Sequence, residues 1–296
     1  MTPRGYCKGV IHALQVVKKT INNYPGEEIH LLGNIIHNRF IKSALEDANV
    51  VVHDSIGKTR LELLDEIHSG IVVFSAHGVS DAVREKAKQK GLHAIDVSCE
   101  DVLKTQVLIK KHLKQDCTIF YIGKKGHPEA EAMTQLDPDR ILLVSSIEDI
   151  PTQITGDILI TCQTTMSLYD VQDIAETIRK QYPQSRFMEE ICKATELRQT
   201  AFKNLSVSDV DLVLVVGDPH SNNTYSLAEI AKKRGFKNVN VIESVEDITD
   251  LMLSNVNTVA ITAGASTPPY IVDGVITYLE EYPNNNKKAI DYTKVL

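Results

Sequence analysis

Asp96-Val97-Ser98-Cys99-Glu100-Asp101-Val102 decides how the chain is organised, because here an apolar, strand-like run hands a cysteine to the start of a helical pattern. Cys99 is the middle of three cysteines set at one spacing. Cys7, in Pro3-Arg4-Gly5-Tyr6-Cys7-Lys8-Gly9, precedes it by 92 residues (99 − 7), and Cys192, in Glu190-Ile191-Cys192-Lys193-Ala194, follows by 93 (192 − 99). A period kept twice is the mark of a triplicated unit, each copy opening on a thiol. Polar residues that close apolar runs keep the same beat. His37, His127 and Ser221 lie 30, 28 and 29 residues beyond their cysteines, and His77, Thr164 and Ser266 lie 70, 65 and 74 beyond theirs.

Working outward, each copy alternates strand and helix patterns. The first reads as a helix over 10–22, then strands at 29–32, 50–52 and 71–76 separated by helices over 41–47 and 60–67, then a helix over 81–90. The second carries strands at 118–122, 141–144 and 158–161, with Pro128 in the first turn of a helix. The third carries strands at 212–216, 239–242 and 259–262 and a last helix over 270–281, before a polar tail from Asn284. Such alternation predicts parallel sheets. The expected units are 1–98, 99–190 and 191–282, with a tail at 283–296.

Composition excludes several classes. The net charge of −7 with interspersed signs gives no basic footprint for nucleic acid. No apolar stretch approaches the ~20 residues that span a bilayer, and no signal segment opens the chain, so no membrane partner is expected. Five cysteines at wide spacing do not read as a disulfide framework, which predicts a reducing, cytoplasmic setting.

Three periodic thiols on a pseudo-threefold plan would offer three soft ligands to one centre and leave a fourth position open. Thiolates select iron–sulfur clusters, zinc or Cu(I), and the plan suits a cluster with one open iron. Cys117 and Cys162, inside strand-like runs, are read as buried apolar side chains. The six polar stations fall at strand ends, where parallel sheets place their ligands. His37, His77, Ser221, Asn223 and Ser266 are short donors near helix starts and suit a phosphate or diphosphate; read singly, Ser221 and Ser266 also suit plain helix caps. Gly123-Lys124-Lys125-Gly126 lacks the spacing of a phosphate-cradling loop. His127 and Glu129 form a titratable pair, with Glu129 as general acid and the Thr164 hydroxyl as relay. Glu131 and Glu100 read as solvated helix positions.

Pro-Arg-Gly-Tyr-Cys at 3–7, His-Asn-Arg at 37–39, Ser-Ala-His-Gly-Val-Ser at 75–80 and Gly-His-Pro-Glu at 126–129 extend over the chain in order. Gln-Thr-Thr at 163–165, Ser-Asn-Asn at 221–223 and Thr-Ala-Gly-Ala-Ser at 262–266 continue the series. The chain resembles the 4-hydroxy-3-methylbut-2-enyl diphosphate reductase family, also called IspH or LytB. The resemblance implies a trefoil of three α/β domains around a [4Fe-4S] cluster held by Cys7, Cys99 and Cys192. It implies a two-electron, two-proton reductive dehydroxylation of an allylic diphosphate to isopentenyl and dimethylallyl diphosphates, the last step of the non-mevalonate isoprenoid pathway. His37, His77, Ser221, Asn222, Asn223 and Ser266 would hold the diphosphate, Glu129 would deliver protons, Thr164 would contact the hydroxyl and His127 would support the relay. A flavodoxin or ferredoxin is the implied electron donor.

Three positions depart from the family pattern. Glu100 stands where proline usually follows the second cysteine. Only Met1 and Thr2 precede Pro3, where relatives have a short apolar strand, which puts the anchoring of Cys7 in question. Thr224-Tyr225-Ser226 replaces a more polar stretch and is expected to alter helix packing. Two rival readings use the same thiols: an iron–sulfur dehydratase resembling quinolinate synthase, and a zinc or cluster sensor without catalysis.

Overall fold

The computed structural model describes residues 1–54, 57–284, 286–288 and 290–291. It divides into two compact units, one of Met1–Ile11, Ile36–Asp47 and Lys193–Leu296, the other of His12–Ile35 and Ala48–Cys192. The expected tail falls partly on residues 285, 289 and 292–296, which lie outside the described residues.

The chain opens with helix α1 (Lys8–Asn23) and strand β1 (Ile29–Leu32), then α2 (Arg39–Asp47), β2 (Val50–His53), α3 (Arg60–Asp65), β3 (Ile71–Phe74), α4 (Asp81–Gln89) and β4 (His93–Asp96). Next come α5 (Glu100–Leu113), β5 (Thr118–Ile122), α6 (Pro128–Thr134), β6 (Ile141–Val144), β7 (Ile158–Cys162), α7 (Leu168–Gln181) and β8 (Arg186–Phe187). The last stretch holds α8 (Lys193–Thr200), β9 (Leu212–Val216), α9 (Asn222–Lys233), β10 (Val239–Ile242), α10 (Asp250–Leu253), β11 (Val259–Ala263) and α11 (Pro269–Glu281). The predicted strands and helices are all present. The strand-like run leading to Cys99 corresponds to β4; sequence reading missed β8, a short edge strand with too few apolar residues to signal a strand.

Three small sheets result, in the orders β2-β1-β3-β4, β6-β5-β7-β8 and β10-β9-β11. Every described strand pair is parallel. The central strands are apolar throughout and buried, as in Ile71–Phe74, Ile158–Cys162 and Leu212–Val216, because helices cover parallel sheets on both faces. Separate cores follow: Leu63, Leu64, Val72 and Phe74 in the first, Phe120, Ile122, Ile160 and Val171 in the second, and Phe202, Val213, Val215 and Leu227 in the third. Cys117 and Cys162 are fully buried within strand cores, as read from sequence.

In each sheet the chain runs from the first strand to one neighbour and then crosses to the other side. The first and third strands therefore flank a switch point, and open parallel sheets bind ligands beyond the carboxyl ends of such strands. All six polar stations sit in the loops leaving those strands.

On the third sheet the start of α9 is wedged between two such loops. A Cβ at Gly264 would lie 2.4 Å from Thr224 Oγ1, and one at Gly217, where φ is +148°, would lie 2.5 Å from the same atom. Only glycines let both loops close on Thr224. Gly264→Ala is expected to lower stability by about 1–3 kcal/mol through overpacking, read as a fall in the urea midpoint. Adding Thr224→Ala, which removes the clashing hydroxyl, should restore part of that loss.

Candidate active site

The three cysteines share one local construction. Cys7 N–H donates to Ala265 O at 3.1 Å, Cys99 N–H to Ala76 O at 3.0 Å and Cys192 N–H to Thr164 O at 3.0 Å. Each acceptor stands two residues past the end of a third-position strand, β11, β3 or β7. A helix begins at the next residue in all three cases, so its unpaired N–H groups favour a negative partner. All three side chains are free thiols of intermediate exposure. These soft donors, held by backbone and left accessible, fit a thiolate-ligated cluster.

The Cys7 loop is held by contacts to the third sheet and to α8. Besides the Ala265 bond, buried Arg198 on α8 donates from Nη2 to Gly5 O at 2.5 Å, and the Met1 ammonium donates to Ile261 O at 2.8 Å. Arg198 gave no signal in the sequence, where it reads as an ordinary polar helix position. Glu100 is exposed in the first turn of α5.

In the unit carrying β9–β11, Ser221 occupies the cap position of α9 but its side chain does not cap. Ser266 is not a cap either, since α11 starts after Pro268. Instead Ser266 Oγ donates to His37 O at 3.1 Å and lies 3.3 Å from Ser221 Oγ. Its proton being committed to His37 O, Ser221 is the donor between the two hydroxyls. Asn222 and Asn223 are buried in the first turn of α9, and Asn223 Oδ1 accepts from Thr195 Oγ1 at 3.2 Å. The station thus combines hydroxyls, amides and a helix start without a side-chain cap, a donor set for an anion.

The other unit gathers His77, His127, Glu129 and Thr164. The His77 and His127 rings meet edge to face with centroids 5.3 Å apart. Ser75 Oγ lies 3.4 Å from His77 Nδ1. His127 caps α6: its Nδ1 accepts from Glu129 N–H at 3.1 Å, so the neutral ring carries its proton on Nε2. Pro128 then fixes the first turn and turns the Glu129 side chain inward.

Glu129 is 1% exposed. Its Oε1 accepts from Thr164 N–H at 2.8 Å and from the Tyr121 hydroxyl at 3.3 Å, while Oε2 lies 2.8 Å from Thr164 Oγ1. Burial pushes its pKa up to about 7; the bonds from Thr164 and Tyr121 oppose the rise without cancelling it. A carboxyl poised there exchanges protons at neutral pH. Tyr121 escaped sequence reading because a tyrosine inside an apolar strand looks like core.

Glu131 corrects the reading as a solvated position. Two residues on from Glu129, it accepts from Arg60 N–H at 2.7 Å and Gln135 Nε2 at 3.2 Å through Oε1, and pairs with Arg60 Nη1 at 3.2 Å through Oε2. Both side chains are largely buried. The pair clamps α6 from the side opposite Glu129, and its distance of 71 residues in sequence hid it.

Comparison with known proteins sharpens this geometry. The chain is 42% identical over 306 residues to a Bacillus cytotoxicus protein named 4-hydroxy-3-methylbut-2-enyl diphosphate reductase, covering 100% of this chain and 96% of that one. A Bacillus pumilus protein of the same name is 44% identical, covering 98% of this chain and 92% of its own length. The solved structure of the E-1-hydroxy-2-methyl-but-2-enyl-4-diphosphate reductase from Plasmodium falciparum is similar with a TM-score of 0.87 at 28% identity, over 97% of this chain and 88% of that one. The LytB protein family matches residues 1–280. With cysteine loops, strand-end stations and buried acid all inside that span, the chain belongs to the LytB protein family.

Proposed function

We propose that this chain is a 4-hydroxy-3-methylbut-2-enyl diphosphate reductase, an iron–sulfur oxidoreductase acting at the last step of the non-mevalonate isoprenoid pathway. The observation that carries the reading is Glu129, a buried acid with a pKa near neutrality and a hydroxyl relay at its tip. A non-catalytic metal sensor has no use for such a group.

The reaction breaks the allylic C–O bond, forms one C–H bond and releases the hydroxyl as water, consuming two electrons and two protons. Cys7, Cys99 and Cys192 would hold the [4Fe-4S] cluster, which supplies the electrons and the open iron. The protein's own residues bind, orient and protonate. Ser221, Asn222, Asn223, Ser266, His37 and His77 receive the diphosphate; the serine hydroxyls swing from protein acceptors to phosphate oxygens as it arrives. His127 holds α6 through Nδ1 and keeps an Nε2–H for the substrate. Glu129 passes a proton to Thr164, whose hydroxyl hands its own to the leaving oxygen. The division at 1–98, 99–190 and 191–282, with a tail at 283–296, agrees with one cysteine loop preceding each sheet. Among the described residues no helix is long and apolar enough to cross a membrane. A one-electron carrier such as flavodoxin or ferredoxin fits as donor, in the cytoplasm, where thiols stay reduced.

Anaerobic turnover tests the reading. Reconstituted protein with reduced viologen and 4-hydroxy-3-methylbut-2-enyl diphosphate should oxidise dye and give both five-carbon diphosphates by mass, and Glu129→Gln should abolish this. Zinc without sulfide in the purified protein, with no turnover, would sink it. Because the protonated form of Glu129 is the donor, turnover should fall as pH rises through about 7.

Stability carries the same signature. An acid at 4.5 when unfolded and about 7 when folded binds more protons in the folded state between those values, so folding free energy is lost as pH climbs through that window. Denaturant unfolding of Glu129→Gln should lack this loss and leave the variant more stable than the parent at pH 8.

A further inference from the structure

The phenol of Tyr121 has one outlet. The side chain is fully buried in β5, and a buried tyrosine hydroxyl must find a partner. That partner is Glu129 Oε1, at 3.3 Å. Oε1 already accepts from Thr164 N–H at 2.8 Å, so two donors fill its lone pairs and leave no room there for a proton. Among the described residues Oε2 has one hydrogen-bond partner, the Thr164 hydroxyl at 2.8 Å, which can accept as well as donate. We propose that Tyr121 is a positioning residue for the reductase reaction, fixing the transferable proton of Glu129 on Oε2, in line with the Thr164 hydroxyl.

The inference rests on the reductase reading and adds a residue to it. In the relay the Oε2–H bond breaks, Thr164 Oγ1 takes that proton and releases its own, and Glu129 is left as a carboxylate still held through Oε1. Tyr121 neither gains nor loses a proton. Burial, with Glu129 and Cys162 beside it, holds its pKa well above the usual phenol value, so it stays a donor throughout the working range. The groups facing Glu129 are Tyr121 from β5, Cys162 and Thr164 from β7 and its loop, Asp101 from α5 and, through its own helix start, His127 with His77 against it. Of the two donors to Oε1, Tyr121 is the one a single-atom change removes without touching backbone.

The test is Tyr121→Phe, read by isotope-edited infrared titration of the Glu129 carboxyl in oxidised, cluster-loaded protein. The band is assigned by its absence in Glu129→Gln. Loss of one donor to the ionised form should raise the midpoint by about 0.5 to 1 pH unit, and the C=O stretch of the protonated form should move to higher frequency. The alkaline limb of the turnover profile should move by the same amount. Site-specific 3,5-difluorotyrosine at 121, a stronger donor of the same shape, should shift the midpoint the other way and answers the case in which Tyr121→Phe fails to fold. An unchanged midpoint and C=O band, with Glu129→Gln inactive, would overturn the role of Tyr121 alone. Turnover surviving in Glu129→Gln would overturn the Glu129 assignment and this inference with it.

Discussion

One backbone hydrogen bond, made three times at the same place, underlies the arrangement of this protein's chemistry. Each cysteine N–H is fastened to the carbonyl two residues past a third-position strand. The bond fixes where the cysteine loop starts and where the strand-end loop turns, and those strand-end loops carry His77, Thr164 and Ser266. The positions of the cysteines and of the strand-end loops are thus set by the same contact. A backbone bond suits the task because it does not use the sulfur atoms.

The second constraint is the cost of a buried acid. Removing a carboxyl from water opposes ionisation, and in an apolar setting the group keeps its proton instead. Three hydrogen bonds to Glu129 compensate only part of that cost, so the fold gives up stability to hold a protonated carboxyl there at neutral pH. Its surroundings are correspondingly rigid. His127 and Pro128 set the start of α6, and the Arg60–Glu131 pair holds its far side, largely out of solvent. A pair this buried is costly to break because the remaining charge would be unmatched. Residues on either side of Glu129 in the sequence therefore serve its placement, one through a ring nitrogen and the other through a carboxylate.

The anion station is built on a different economy. Ser221 and Ser266 could have been spent on helix capping, which would satisfy backbone groups and nothing else. Their hydroxyls are instead engaged with each other and with His37 O, partners that an incoming phosphate oxygen can replace. The start of α9 has no side-chain cap from Ser221. Gly217 and Gly264 hold that helix start close against two strands by having no side chains to obstruct Thr224.

Much of this was legible in the sequence, for a physical reason. Strand–helix alternation is local, because an apolar run long enough to cross a parallel sheet shows itself in a few residues. A threefold repeat in thiols and polar strand ends needs only counting, so the parallel sheets and the recurrence of cysteines and polar residues after the strands could be read directly. The edge strand β8 stayed hidden, since pairing along one side places little demand on composition. Tertiary structure alone decided which polar residues near Glu129 act on it. The hydroxyl of Tyr121 and the pairing of Arg60 with Glu131 depend on chain segments brought together by folding, and no local pattern distinguishes a tyrosine that fills a core from one that also holds a carboxyl.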